Sequence, residues 1–575
     1  MRYLLAAVNA KFIHSNPAVY LLKGCAPASC REQIAIAEYT INEYPDRILA
    51  DIYRRRPDVL AFSCYIWNRK LIFWLVREIK KVLPALILWL GGPEASFQAE
   101  DILAEEPSVD GIFTGEGEIP FHEFVLEMES ARSQGRRPDL THVPGTVTRA
   151  EEGGFLVTAA ADFPDLDRLP FFYDDLTPFR SRIIYYESSR GCPFHCSYCL
   201  SSREDHIRLR SLPLVQEDLL FFLDRKLPQV KFLDRTFNFN EEHALGIWNF
   251  LKEHDNGITN FHFELESDLL TEKELALLES LRPGLVQAEI GVQSTNRRTL
   301  AALHRRTDFS WLEKCCRRLL KNRNIHVHLD LIAGLPYEDL ESFAHSFNQV
   351  YRLHPHELQL GFLKLLPGTE LRERADQFGI TALADAPYEV LSTRWLSYDD
   401  ILLLKNIEEV LEIYYNSGQF SLTMAALENY FPDPFSMYRQ LALFYEGNHY
   451  FVQTPSRIRR YDILLEFIIE TVRPEAEVVC RFFAQLLTCD LYLRENMKSR
   501  PSFAEAQTYR RHPKNVHLEE ADFPLQQILP YYPGKAPAML PEKKTLLSFD
   551  YENRSPVTGN VTMTEADPGN GNVQQ

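Results

Sequence analysis

Residues 188–200 read SSRGCPFHCSYCL and place three cysteines, Cys192, Cys196 and Cys199, within eight positions. The segment follows an apolar β-like run, IIYYES, and precedes a polar stretch. A structural zinc site pairs C-x₂₋₄-C with a second ligand pair downstream, and none follows, although His195 and His206 are neighbours that a zinc reading would recruit. The spacing C-x₃-C-x₂-C instead suits three corners of a cubane iron-sulfur cluster and leaves the fourth iron without a protein ligand. A metal site that keeps a position open is one that binds a substrate there.

The pattern around this loop sets the fold. From Arg182 to about Leu371, six β-like runs (IIYYES, VKFLD, NFHFELE, LVQAEIGVQ, IHVHLDLIAG and ELQLGFLKLL) alternate with helical patterns. That alternation predicts a barrel, full or partial, over 182–380. Residues 1–135 hold four further β-like runs, YLLAAVN, DVLAFSCYI, ALILWLGG and VDGIFTGEGE, separated by amphipathic stretches such as KLIFWLVREIKKVL. They predict a doubly wound, Rossmann-like α/β domain, whose ligand lies outside the carboxyl ends of the strands, where Asn9, Ser63, Gly91, Gly92, Gly115 and Gly117 fall. Residues 136–181 are rich in Pro, Gly and charge and read as a linker with a small hairpin. Long helical patterns predict a mostly α-helical domain over 390–550, and the polar residues 551–575 read as a disordered tail.

Composition narrows the function. The chain has 575 residues, enough for several domains, and a formal net charge of −18, which argues against a nucleic acid partner because phosphate binding needs a basic field. No run reaches the 18 or so consecutive apolar residues of a membrane span, and the N-terminal apolar run is too short for a signal segment. A cytoplasmic protein is expected, in which the ten cysteines are thiols rather than a disulfide scaffold.

The stretch GCPFHCSYC resembles the signature of the radical S-adenosylmethionine (SAM) superfamily. The resemblance implies a [4Fe-4S] cluster on Cys192, Cys196 and Cys199 whose free iron chelates SAM, and reductive cleavage of SAM to methionine and a 5′-deoxyadenosyl radical. It also implies that an aromatic of this stretch, Phe194 or more usually Tyr198, lies beside the adenine. Through HFELE, EIGVQS, HRR and LDLIAGLP the chain is similar to the branch that includes oxygen-independent coproporphyrinogen oxidases. By that similarity Glu264 takes the SAM amino group, with Glu266 as the competitor two positions on; Gln293 and Asp330 take the ribose side; Arg305, or Arg306, takes the carboxylate. An acid inside an apolar strand such as IHVHLDLIAG is costly unless paired.

The glycine motifs LGGPEAS (90–96) and TGEGE (114–118) ahead of such a core resemble the cobalamin-binding domain of the B12-dependent radical SAM class. The usual Asp-x-His-x-x-Gly motif is absent: Asn9 and Lys11 stand where its Asp and His would be, so the lower ligand of cobalt is unassigned. The resemblance implies a cobalamin-dependent enzyme that methylates an unactivated carbon of a small-molecule or peptide substrate, fed by a flavodoxin- or ferredoxin-like one-electron donor. The alternatives are a radical SAM enzyme that uses no cobalamin for methyl transfer and a non-catalytic iron-sulfur or cobalamin sensor. A tRNA methylthiotransferase is disfavoured, since the chain lacks a second N-terminal cysteine cluster and a basic terminal barrel.

Overall fold

The computed structural model describes residues 1–203, 206–472, 477–505, 507, 515–528 and 543–566. The chain divides into two compact units, Met1–Glu264 with Lys364–Val390, and Leu265–Leu363 with Leu391–Gln575.

In the first unit, β1 (Tyr3–Asn9), β2 (Ile34–Thr40), β3 (Val59–Ser63), β4 (Ile87–Gly91) and β5 (Gly111–Phe113) are parallel and lie in the order β2-β1-β3-β4-β5. The central strand β1 is buried along its whole length because helices cover both faces. Its alternate residues enter two cores: Leu4, Ala6 and Val8 in one, Tyr3, Leu5 and Ala7 in the other. The helix Arg69–Val82 shows why these segments fold locally. Ile72, Leu75, Val76 and Ile79 recur at helical spacing and are buried, while Lys80 and Lys81 occupy the last turn, where cations are favoured.

One expectation is corrected here and one is extended. The edge strand β2, IAIAEYT, is absent from the expected β-like runs; it is only partly buried, so its apolar signal is weak. The small hairpin expected within residues 136–181 is present as β6 (Thr146–Arg149) and β7 (Phe155–Val157), and β6 also pairs antiparallel with β5, which extends the sheet to seven strands. Pairing to a strand more than thirty residues away leaves no local mark in a short hairpin.

The six β/α repeats of the partial barrel are present, three in each unit. In the first unit β8 (Ile184–Tyr186) precedes a short antiparallel ribbon of β9 (Ser189–Arg190) and β10 (Arg208–Leu209). Next come β11 (Gln229–Phe232), parallel to β8, and β12 (Asn260–Leu265), parallel to β11. In the second unit β13 (Val286–Gln293), β14 (His326–Ala333) and β15 (Glu357–Phe362) run parallel with helices between them.

The C-terminal region departs from the expected domain. Helices from Tyr398–Leu411 to Glu477–Arg494 are present, but an antiparallel sheet of Val516–Ala521, Thr545–Arg554 and Val561–Glu565 follows them. The end of the predicted helical domain and residues 551–566 of the predicted tail are therefore ordered sheet; the rest of the tail lies outside the described residues. Among the described residues no helix is long and apolar enough to cross a membrane.

Candidate functional site

The cysteine segment sits in the loop that β9 and β10 enclose. Gly191 opens it at φ +102°, and a Cβ there would fall 2.6 Å from the His206 carbonyl oxygen, so the tight start of the loop admits only glycine. The Cys199 N–H donates to the Cys196 carbonyl at 3.0 Å and closes a turn that carries the second and third thiols. Cys192 Sγ lies 3.4 Å from Thr236 Oγ1 in the loop after β11. Cys196 is buried and Cys192, Tyr198 and Cys199 are half-buried, so one short loop presents three thiols without burying them all. Three thiols on one short loop suit an open-cornered cluster.

The serines ahead of the cysteines have a role the sequence reading did not assign. Asp234 accepts from the Ser188 N–H at 2.9 Å and from the Ser188 and Ser189 hydroxyls at 2.6 Å each. Burial raises the Asp234 pKa to about 6 against the pull of these donors. At 1% exposure Asp234 is neither a solvated strand end nor open to a ligand; it anchors the segment that leads into the cysteines. His243, pushed down to about 4 by burial, lies 3.2 Å from the same Ser188 hydroxyl.

At the carboxyl ends of the first sheet the residues divide. Asn9 is buried and spends its amide on the His14 carbonyl and on Glu38 Oε1, at 3.0 Å each. Ser63 Oγ accepts from Asn16 Nδ2 at 3.0 Å. Glu38, which sequence reasoning missed, also accepts from the Asn16 N–H, Tyr20 and Arg182, and so gathers the first loop around one carboxylate. His14 places Nδ1 2.6 Å from the Tyr185 hydroxyl.

Gly92 is required by the chain itself, for at φ +94° a Cβ would meet the Cys64 carbonyl oxygen at 2.7 Å. A Cβ on Gly91 would lie 3.7 Å from the Phe113 side chain, and one on Gly117 would press on Leu22 at 3.1 Å. At Gly115, φ +70°, a Cβ would meet nothing within 4 Å. Exposed aromatic side chains follow three of these strands: Phe12 after β1, Trp67 after β3 and Phe97 after β4. Trp67 stacks on Tyr65 at 4.4 Å and donates its indole N–H to the Val8 carbonyl, which fixes the ring. An open glycine beside exposed, oriented rings at the ligand end of a 2-1-3-4-5 sheet suits a large flat cofactor.

Glu264, half-buried near the end of β12, belongs to the first unit. Tyr198 lies in the first unit too, whereas Gln293, Arg305 and Asp330 lie in the second. Gln293 ends β13 at φ +66°, where the register with β14 shifts, and its Oε1 is buried with no hydrogen-bond partner among the described residues. A strained residue offering an orphaned acceptor is the mark of a ligand position. Glu266 is separated from Glu264 by its partner: Arg305 Nη2 donates to Glu266 at 2.7 Å and to the Gly291 carbonyl, and both side chains are buried. Burial raises the Glu266 carboxyl and the guanidinium opposes that shift.

Asp330 on β14 is paired as an acid in an apolar strand must be: His328 Nε2 lies 2.9 Å from Asp330 Oδ1, and His328 Nδ1 lies 4.0 Å from Glu289. Burial disfavours the imidazolium, yet Asp330, Glu357 and Glu289 raise His328 to about 9.

Comparison with known proteins agrees with this architecture. Residues 3–125 match the B12 binding domain, residues 186–350 the Radical SAM superfamily, and residues 376–562 the "Protein of unknown function (DUF4080)". The chain is 25% identical over 358 residues to the cobalamin-dependent radical SAM methyltransferase TokK of Streptomyces tokunonensis, covering 58% of this chain and 51% of that one. It is 27% identical over 325 residues to the hopanoid C-3 methylase of Methylococcus capsulatus, covering 54% and 59%. It spans about half the length of the curated relatives it matches.

Among solved structures, the cobalamin-dependent SAM radical enzyme OxsB with aqua-cobalamin and SAM bound superposes with TM-score 0.57 at 14% identity, covering 83% of this chain and 80% of that one. The radical SAM methyltransferase TsrM of Kitasatospora setae, with cobalamin and a [4Fe-4S] cluster bound, gives 0.52 at 17% identity, covering 67% and 81%. The 2-1-3-4-5 sheet, the three thiols on one loop and the β/α repeats thus fall where the B12 binding domain and Radical SAM superfamily models match, and the DUF4080 match follows at residues 376–562.

Proposed function

We propose that the protein is a cobalamin-dependent radical SAM methyltransferase acting on a carbon that no ordinary nucleophile activates. The observation that carries the reading is the cysteine loop: three thiols on one glycine-opened loop, in the same compact unit as a B12-type sheet. Cys192, Cys196 and Cys199 would hold the [4Fe-4S] cluster, and the loops ending β1, β3, β4 and β5 would hold cobalamin against Phe12, Trp67 and Phe97. Together with SAM these groups supply one-electron cleavage of a carbon–sulfur bond and a transferable methyl.

The protein's own residues orient the partners. Asp234 and the two serines fix the approach to the cysteines, and Gln293 offers an uncommitted carbonyl oxygen for a hydroxyl. Asp330, held by His328, presents a carboxylate whose charge is compensated. The substrate is a small molecule or peptide selected by loops this reading does not assign, and electrons come from an external one-electron donor. We place the protein in the cytoplasm, a reducing compartment in keeping with ten cysteines that form no disulfide among the described residues.

The test is anaerobic. After cluster reconstitution and reduction with dithionite, SAM and methylcobalamin are added, and 5′-deoxyadenosine and bound cobalamin are quantified beside a Cys196→Ala variant. Formation of 5′-deoxyadenosine by the intact protein alone, with cobalamin retained, is the expected result. A cluster that forms without ever cleaving SAM would favour a sensor instead.

A further inference from the structure

The ribbon that encloses the cysteine loop contains an electrostatic conflict. In the antiparallel pair β9–β10, Arg190 stands directly opposite Arg208, and like charges in that position repel. Arg190 is the residue before Gly191 and Cys192, so any splaying of the ribbon is delivered straight to the first thiol.

One carboxylate resolves the conflict, and it comes from the other domain of the unit. Glu116, in the Gly115-Glu116-Gly117 turn after β5, accepts from Arg190 Nη1 at 2.5 Å and from Arg208 through both of its oxygens. The neighbours finish the arrangement without duplicating it. Glu118 binds Arg190 alone at 2.9 Å, and Glu187 binds Arg190 at 2.7 and 3.0 Å. Arg208 also donates to the Pro164 carbonyl at 3.1 Å and stacks on the Phe163 ring. Arg190, Arg208 and Glu116 are all at least four-fifths buried, so their interaction is screened less than a surface pair would be. The turn that carries Glu116 also carries Gly115, the open position at the ligand end of the first sheet.

We infer that Glu116 is a positioning residue that holds the cluster loop closed by bridging Arg190 and Arg208, and that it ties this loop to the cobalamin end of the first domain. The inference rests on the proposed cofactors but concerns side chains whose contacts are present without them. Losing the carboxylate unbalances the pair by one charge: Arg190 keeps Glu118 and Glu187, while Arg208 keeps the Pro164 carbonyl and the Phe163 ring. The loop opens, the added positive charge lies near the cluster, and a more positive surrounding favours the reduced cluster.

The experiment compares four reconstituted proteins: wild type, Glu116→Gln, Glu118→Gln and the double variant Glu116→Gln/Arg208→Gln. Iron per chain, the cluster's midpoint potential and thermal unfolding are measured for each. Glu116→Gln is expected to retain severalfold less iron and to shift the potential of what remains upward. Glu118→Gln, which removes a charge but leaves the two arginines bridged, should keep wild-type iron content. The double variant should recover much of the iron content, because the opposed charge is gone. Equal iron content and unchanged potential in Glu116→Gln would overturn the inference alone, whereas a wild-type chain that takes up no cluster would overturn the proposed function with it. If Glu116→Gln unfolds, the double variant still decides: the bridge predicts iron content and potential near wild type because the charge of the ribbon is restored, and a double variant that folds but loses its iron would overturn the inference.

Discussion

His328 is the histidine whose protonation the fold most strongly favours, and replacing Asp330 by Asn should reverse that preference. The imidazole is 7% exposed, and burial by itself would push its pKa below the ordinary 6.5; Asp330, Glu357 and Glu289 raise it to about 9. Moving a pKa from 6.5 to about 9 corresponds to roughly 3 kcal/mol of preferential interaction with the charged form. Since the folded value lies above the unfolded one, this stabilisation is fully present below pH 6.5 and is lost as the pH rises through about 9. In Asp330→Asn the nearest carboxylate is gone and burial dominates, so His328 should titrate well below its wild-type value. Hydrogen–deuterium exchange at the imidazole C2 position, followed by mass spectrometry with fragmentation to separate His328 from His326, reads the titration directly. His356, which burial lowers to about 4, serves as an internal reference of opposite sign. A wild-type His328 that titrates at or below 6.5, or an unchanged value in Asp330→Asn, would refute the reasoning.

Three further outcomes are expected. Arg305→Ala leaves Glu266 buried without its guanidinium and should cost about 3–5 kcal/mol, read as a lower unfolding midpoint, with part of the loss recovered on adding Glu266→Gln. Gln293→Gly keeps a backbone at φ +66° without strain while removing the side chain, so stability should hold and SAM affinity, measured by calorimetry, should fall about tenfold for a lost hydrogen bond of ~1 kcal/mol or more. Trp67→Ala removes an exposed ring already oriented by Tyr65 and should weaken cobalamin binding severalfold, for a stacking contribution of about 0.5–1.5 kcal/mol, measured by absorbance titration with the cluster left intact.

Much of the fold was legible because its signals are local. All six barrel strands stand where the apolar runs put them, and the helix Arg69–Val82 follows from residues three and four apart. What lay outside the expectation had a weak local signal. β2 is a partly exposed edge strand, and the hairpin of β6 and β7, itself expected, carries no mark of its pairing to the distant β5. The sheet near the C-terminus was hidden for the same reason: Val516–Ala521 pairs with Thr545–Arg554 across a long intervening stretch.

The candidate site divides along the same line. Cys192, Cys196 and Cys199 are brought together by covalent spacing, so the sequence by itself determined the open-cornered thiol set and the class of chemistry it serves. Asp330 could be expected to have a partner, since a carboxylate in an apolar strand demands one, and His328 two residues away on the same face supplies it. Only the tertiary structure decided that Arg305 pairs with Glu266, that the Asn9 amide donates to the His14 carbonyl and Glu38, and that Asp234 anchors Ser188 and Ser189. It alone decided that Glu116 bridges two arginines more than seventy residues further along the chain. Charged side chains at a strand end look alike in sequence, solvated or paired, because what distinguishes them is which distant group the packed backbone brings within about 3 Å.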